Sequence, residues 1–105
     1  MDDVLQNLDV LFERPQTLGS ATPGEWYKSL CDYGYDVKPL GGGNFKGVPF
    51  EQGGGFRVNW GGDRVFLYHP PYRTHHGKEP YYKLSMGNHA ILRFNLDGSP
   101  RIDWE

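Results

Sequence analysis

Cysteine is almost missing from this chain: Cys31 is the only one in 105 residues, which excludes an internal disulfide and a zinc site built on cysteines. Long apolar runs are missing as well. No stretch approaches the roughly 20 residues a membrane-spanning helix needs. The start Met1-Asp2-Asp3 lacks the basic and apolar regions of a signal peptide, so neither a membrane anchor nor an export signal is expected. There is no strong excess of one charge either; the net value of −2 gives no overall hint of nucleic-acid binding. Glycine, by contrast, is plentiful. With 15 Gly and 8 Pro and no collagen period, long uninterrupted helices are excluded over most of the chain, and turns and a sheet are favoured. At 12.0 kDa the chain suffices for one core and not two, and aromatics at 15% weight that core toward rings.

The net charge conceals a division. Residues 1–36 hold seven acids against Arg14 and Lys28, whereas residues 37–101 hold nine bases against Glu51, Asp63, Glu79 and Asp97. All four histidines, His69, His75, His76 and His89, fall in the basic part. Such segregation points to a cationic working face with an acidic flank, although small proteins also show it by chance.

Helical spacing of Val4, Leu5, Leu8, Leu11 and Phe12 predicts a first helix over residues 2–13, stopped by Pro15. Residues 16–21 read as a polar connection. A second helix begins at Thr22 as N-cap, with Pro23 in the first turn and Glu25 completing a capping box, and ends near Gly34. Its stripe is Trp26, Tyr27, Leu30 and Cys31, which makes Cys31 a small buried side chain rather than a nucleophile. Gly41-Gly42-Gly43 reads as a loop and residues 44–50 as a short edge element. The glycine triplets are not a phosphate-cradling P-loop, since no Gly-Lys-Ser/Thr follows.

From Gly55 onward the period is two. Phe56, Val58 and Trp60 alternate with Arg57 and Asn59, and Gly61-Gly62 signals a hairpin turn into a strand over residues 64–69. A two-residue turn sets Val58 opposite Val65 and Phe56 opposite Leu67, leaving Arg57, Asn59, Arg64, Phe66 and Tyr68 on the other face. His69 then follows the apolar parity and reads as a satisfied half-buried residue. A long aperiodic loop, residues 70–80, leads to a second hairpin. Joined by Gly87-Asn88-His89, that hairpin sets Lys83 opposite Arg93 and Ser85 opposite Ile91 on the non-core face, with Tyr82, Leu84, Met86, Ala90, Leu92 and Phe94 on the core face. Two opposed cations lower stability unless an anion lies between them. Asp97-Gly98 signals a further turn, and residues 101–104 a short last strand. The expected class is α+β, with N-terminal helices packed on a twisted antiparallel sheet of about four to five strands, in a single domain.

His75, His76, Lys83, Ser85 and Arg93 together supply what metal-free RNA cleavage requires. One group takes the 2′-OH proton, another protonates the departing 5′-oxygen, and cations hold the charge of the phosphorane-like transition state. Histidine suits the proton transfers because it titrates near neutrality. Arg57, Arg64, Arg73 and His89 would contact phosphates, while Phe66, Tyr68, Tyr72 and Tyr81 would stack on bases. Each also has a plain reading: loop histidines are often only solvated, Lys83 and Arg93 suit an ordinary outer sheet face, and Trp26, Trp60, Leu67, Leu92 and Phe94 suit a core. A competing chemistry is a metal-dependent nuclease of the His-Asn-His kind, with His69, His75 and His76 near Glu79 or Asp97, but the spacing to Asn88 and His89 does not fit that motif well. A third reading is a non-catalytic RNA- or protein-binding module.

The runs Gly53-Gly54-Gly55-Phe56-Arg57-Val58-Asn59-Trp60, Tyr68-His69-Pro70-Pro71, His75-His76-Gly77, Tyr81-Tyr82-Lys83-Leu84-Ser85 and Arg93-Phe94-Asn95-Leu96-Asp97-Gly98 resemble the C-terminal toxin domains of bacterial polymorphic toxins, of the contact-dependent inhibition, Rhs or LXG type. The similarity spans roughly residues 39–98. It implies a small ribonuclease built like barnase, EndoU, colicin D and RelE, using no cofactor, with His75, His76, Lys83, Ser85 and Arg93 as its site. It further implies delivery by a larger parent effector, action on RNA in the cytoplasm of a target cell, and neutralisation by a cognate immunity protein. One departure is that such nucleases are often clearly basic.

Overall fold

The apolar spacing at the start of the chain forms two short helices rather than one: α1 is Asp2–Gln6 and α2 is Val10–Glu13. This computed structural model describes residues 2–71, 79–86 and 91–101. The break at residues 7–9 has a local cause. The Asn7 side chain accepts a hydrogen bond from the Asp9 backbone N–H at 3.0 Å, an Asx turn that competes with helix propagation. Asp9 is also drawn toward the sheet, accepting from Arg64 Nη1 and from Trp60 Nε1, each at 2.9 Å. The expected polar connection at 16–21 is instead a 3-10 turn, Pro15–Ser20, whose Leu18 is fully buried.

The second predicted helix forms as its signals indicate. α3 spans Pro23–Tyr33; the Thr22 hydroxyl accepts from Glu25 N–H at 3.1 Å, and the Glu25 carboxylate accepts from Thr22 N–H at 2.8 Å. Gly34 follows in the left-handed conformation. Thr22→Ala removes one of these bonds and loosens the other, so a loss of about 1 kcal/mol is expected in urea unfolding. Trp26 and Leu30 of α3 are fully buried, whereas Cys31 is exposed and not the buried side chain the stripe indicated.

Among the described residues five strands follow, all antiparallel and in sequence order: β1 Val37–Lys38, β2 Phe56–Asn59, β3 Arg64–His69, β4 Tyr81–Met86 and β5 Leu92–Phe94. The fold is therefore α+β, with a five-stranded meander. The edge strand is Val37–Lys38, not residues 44–50, which form turns leading to a 3-10 turn at Phe50–Gln52. At the far edge, Phe94 bridges Pro100 and Arg101 N–H donates to Arg93 O at 3.0 Å, so these two residues pair with β5; residues 102–104 of the expected last strand lie outside the described residues.

The first hairpin departs from its expected register by one residue. Phe56 pairs with Tyr68, Val58 with Phe66 and Asn59 with Val65. The turn holds three residues, because Trp60 N–H donates to Arg64 O at 3.3 Å and Arg64 N–H to Gly61 O at 3.2 Å. Asn59 secures it, accepting from Gly61 N–H at 2.9 Å and donating to Gly62 O at 3.2 Å. Both glycines have positive φ, which residues with a Cβ rarely adopt. A shift of one residue exchanges the faces of β3. Phe66 and Tyr68 therefore face the helices, while Val65, Leu67 and His69 face away.

Rings fill the core as a result. Phe66 is edge-on to Trp26, with centroids 5.4 Å apart, and packs against Phe56 and Tyr82. Leu8, Leu11, Leu18 and Leu30 close the helical side, and Val58, Leu84 and Phe94 the sheet side. Trp26 Nε1 donates to Leu18 O at 3.0 Å, so the one polar atom of this large side chain is satisfied. Of the residues read as core, Leu92 is exposed and Leu67 lies half-buried on the opposite face.

Candidate functional site

The face of the sheet turned away from the helices is built by the strand registers. Lys38 pairs with Arg57, Arg57 with Leu67, Leu67 with Lys83, and Lys83 with Arg93. The Arg101 N–H to Arg93 O bond adds Arg101 beyond β5. Strands lie about 4.8 Å apart, so this is a continuous row across the sheet in which every position but Leu67 is a cation. Its Lys83–Arg93 step is the pairing the sequence predicted. Ser85 lies on the same face one step along β4, opposite Val65.

Adjacent to the row, toward the next step of the strands, His69 pairs with Tyr81. Their rings stack nearly parallel, with centroids 5.1 Å apart, and the Phe45 ring meets His69 edge-on at 5.5 Å. His69 and Tyr81 are both buried, at 7% and 5% exposure, although this face is remote from the main core. Part of their cover is the loop after β1. Leu40 is buried there, and the loop closes through Gly47 N–H donating to Leu40 O at 2.9 Å and Lys46 N–H to Gly43 O at 3.2 Å. Gly55 allows this close approach. A Cβ on it would lie 2.2 Å from Tyr68 O and 2.9 Å from Leu40 Cδ1.

Between loop and sheet remains a cleft of about 240 Å³, lined by Leu40, Gly41, Gly42, Gly43, Leu67, His69, Tyr81 and Lys83. Burial holds the Lys83 ammonium below the ordinary lysine range, and the Arg93 cation opposite pushes the same way. Burial likewise lowers His69; the Pro70 carbonyl at its Nδ1 opposes the shift, and Lys83 reinforces it. With Nδ1–H donated to that carbonyl, neutral His69 carries its basic lone pair on Nε2. Arg57 stands at the loop side of the cleft, donating from Nε to Pro39 O at 3.3 Å. Arg101 stands at the other side, its guanidinium over the Tyr81 ring at 5.5 Å and its Nη1 donating to Glu79 O at 3.2 Å.

The structure thus brings Arg57, Tyr81, Lys83, Ser85 and Arg93 onto one face. It separates three residues expected to join them. Tyr68 belongs to the helix-facing core, with its ring among Phe50, Phe56 and Tyr82, so it offers no surface for stacking on a base. Arg64 points to the same side, bound to Asp9 through Nη1 at 2.9 Å and lying over the Trp60 ring. Phe66 is likewise core. Tyr72, Arg73, His75, His76 and His89 lie outside the described residues. The connection carrying the first four leaves β3 after His69 and enters β4 at Tyr81, the paired residues that floor the cleft.

Leu40 and the glycine triplet were not legible as site components in the sequence, and His69 was read there as a half-buried residue or, in the competing metal chemistry, as a ligand. The signal for His69 was its parity, which is that of Lys83 and Ser85 once the turn is read as three residues. Among the described residues no group of three His, Cys, Asp or Glu side chains converges as metal ligands would, and no helix is long and apolar enough to cross a membrane. No family model matches the chain, and comparison with curated proteins and with solved structures found no match.

Proposed function

We propose that the protein is a metal-independent endoribonuclease of the bacterial toxin kind, acting on RNA at the sheet face opposite the helices. The observation that supports this reading most is the row Lys38, Arg57, Lys83, Arg93 and Arg101 beside a cleft floored by a histidine. Partly buried like charges facing each other across a sheet reduce stability, and an anionic phosphodiester relieves that repulsion. In the proposed reaction a base removes the proton from the ribose 2′-OH, and the oxygen attacks the adjacent phosphorus. The P–O5′ bond then breaks while an acid protonates the leaving 5′-oxygen. The products are a 2′,3′-cyclic phosphate and a 5′-OH.

His75 and His76 are assigned the proton transfers. Lys83 and Arg93 stabilise the added charge on phosphorus, and Ser85 donates to a phosphate oxygen. The same cationic face would receive an immunity protein presenting carboxylates, as the resemblance implies, and the larger parent effector would supply delivery. The reading is tested by incubating the purified protein with single-stranded RNA in excess EDTA and identifying the ends formed. Cyclic phosphate ends, lost in His76→Ala with the circular-dichroism spectrum unchanged, are expected. Cleavage that stops with chelator, or DNA cut equally well, replaces the 2′-OH mechanism by the metal-nuclease reading. RNA binding without cleavage leaves a non-catalytic module.

A further inference from the structure

We propose that the cleft between the Gly41–Gly43 loop and the sheet holds one unpaired nucleobase, so that the substrate is single-stranded RNA bound with a base in the cleft and its phosphate on the cationic row. This rests on the RNA reading above. Two features of the cleft are unsuited to a bare phosphate. Leu40 and Leu67 give it apolar walls, and the stacked pair His69 and Tyr81 gives it an aromatic one. Apolar and aromatic lining with a few polar groups is what planar organic rings bind.

The loop side supplies the polar groups. Three consecutive glycines present peptide edges that carry no side chains of their own. The Leu40 and Gly43 carbonyls are engaged in closing the loop, whereas the peptide groups of Gly41 and Gly42 bond to no other described backbone. Amides and carbonyls at such positions match the donors and acceptors on a base edge, which in a duplex are occupied by pairing. Size sets the limit to one base: drug-sized ligands occupy roughly 300–1,000 Å³, so a cleft of about 240 Å³ admits a single ring system. Lys83 lines the cleft and belongs to the cationic row, and the Arg57 guanidinium lies about 3.7 Å from where a Gly41 Cβ would be. A base in the cleft therefore leaves its own phosphate within reach of both.

The test titrates the full chain with the four nucleoside 5′-monophosphates and with ribose 5-phosphate, following amide shifts by NMR. At least one nucleotide is expected to bind on the order of tenfold more tightly than ribose 5-phosphate, toward the low end of what one stacked base contributes. Its shifts should centre on residues 40–43. Leu67→Trp, on the half-buried outer face, fills the cleft and should erase that preference while ribose 5-phosphate binds as before. Nucleotides that bind no better than ribose 5-phosphate overturn the proposal, as does a preference that survives Leu67→Trp. The comparison on the unmodified protein decides even if the variant misfolds. RNA cleavage is scored separately: cleavage without base preference removes only the base site, and base preference without cleavage removes only the nuclease reading.

Discussion

Lys83→Met is expected to lower kcat/KM for RNA cleavage by on the order of 10²–10³, the usual loss when one group stabilising transition-state charge is removed. The same substitution should leave the fold as stable as before or raise it by about 0.5–1 kcal/mol, since it removes a cation facing Arg93 across the sheet. That combination separates a functional lysine from a structural one. A lysine holding the sheet together would lose stability and activity in parallel.

The pH dependence of unfolding supplies a second readout. Lys83 is held below its ordinary value of 10.5 in the folded state, first by burial and then by Arg93. The folded state therefore releases this proton more readily than the unfolded chain. Stability should rise as pH climbs through the folded-state value toward 10.5, and that gain should be absent in Lys83→Met. Tyr27, Tyr35, Tyr68 and Tyr82 titrate in the opposite sense, because their hydroxyls are held above the ordinary value, Tyr27 at about 12 beside Glu51. The difference between the two proteins at each pH isolates the lysine from these tyrosines. Full cleavage by Lys83→Met would remove Lys83 from the mechanism.

Phe66→Ala is expected to destabilise the domain by about 3–5 kcal/mol, and Leu67→Ala by only about 1 kcal/mol. Phe66 is fully buried against Trp26, Phe56 and Tyr82, so its removal leaves a cavity within a ring cluster. Leu67 is half-buried on the outer face and forms one wall of the cleft. Since a domain of this size is stabilised by roughly 5–15 kcal/mol in total, the Phe66 variant should lose a large share of it in urea unfolding. Equal losses at the two positions, or the reverse order, would show that β3 has the other register in solution.

These adjacent residues also mark where the sequence misled. The helix at Pro23–Tyr33 was legible to its caps, because a capping box and the following glycine are local chemistry within a few residues. The Lys83–Arg93 pairing was legible for a similar reason: a three-residue loop was required to place both apolar sets on one side. The first hairpin offered no such constraint. Both Val65/Leu67 and Phe66/Tyr68 are apolar enough to face a core, so the pattern admitted either face. The choice fell to the turn, where Asn59 side-chain bonds and two positive-φ glycines stabilise three residues, and to the larger ring area buried by Phe66 and Tyr68. That one-residue step moved Tyr68 into the core and His69 onto the outer face.

By itself, then, the sequence determined what is local or periodic: an α+β class, helices before an antiparallel sheet, an acidic first part and a basic second part. Only the tertiary structure decided which cations share a row and that the Leu40–Gly47 loop folds over His69 and Tyr81. Both depend on register and on contacts distant in the chain. Glycine, the residue in excess, joins the two levels: as a pattern it foretold turns, whereas the allowance Gly55 makes for Leu40 and Tyr68 O exists only once the strands are paired.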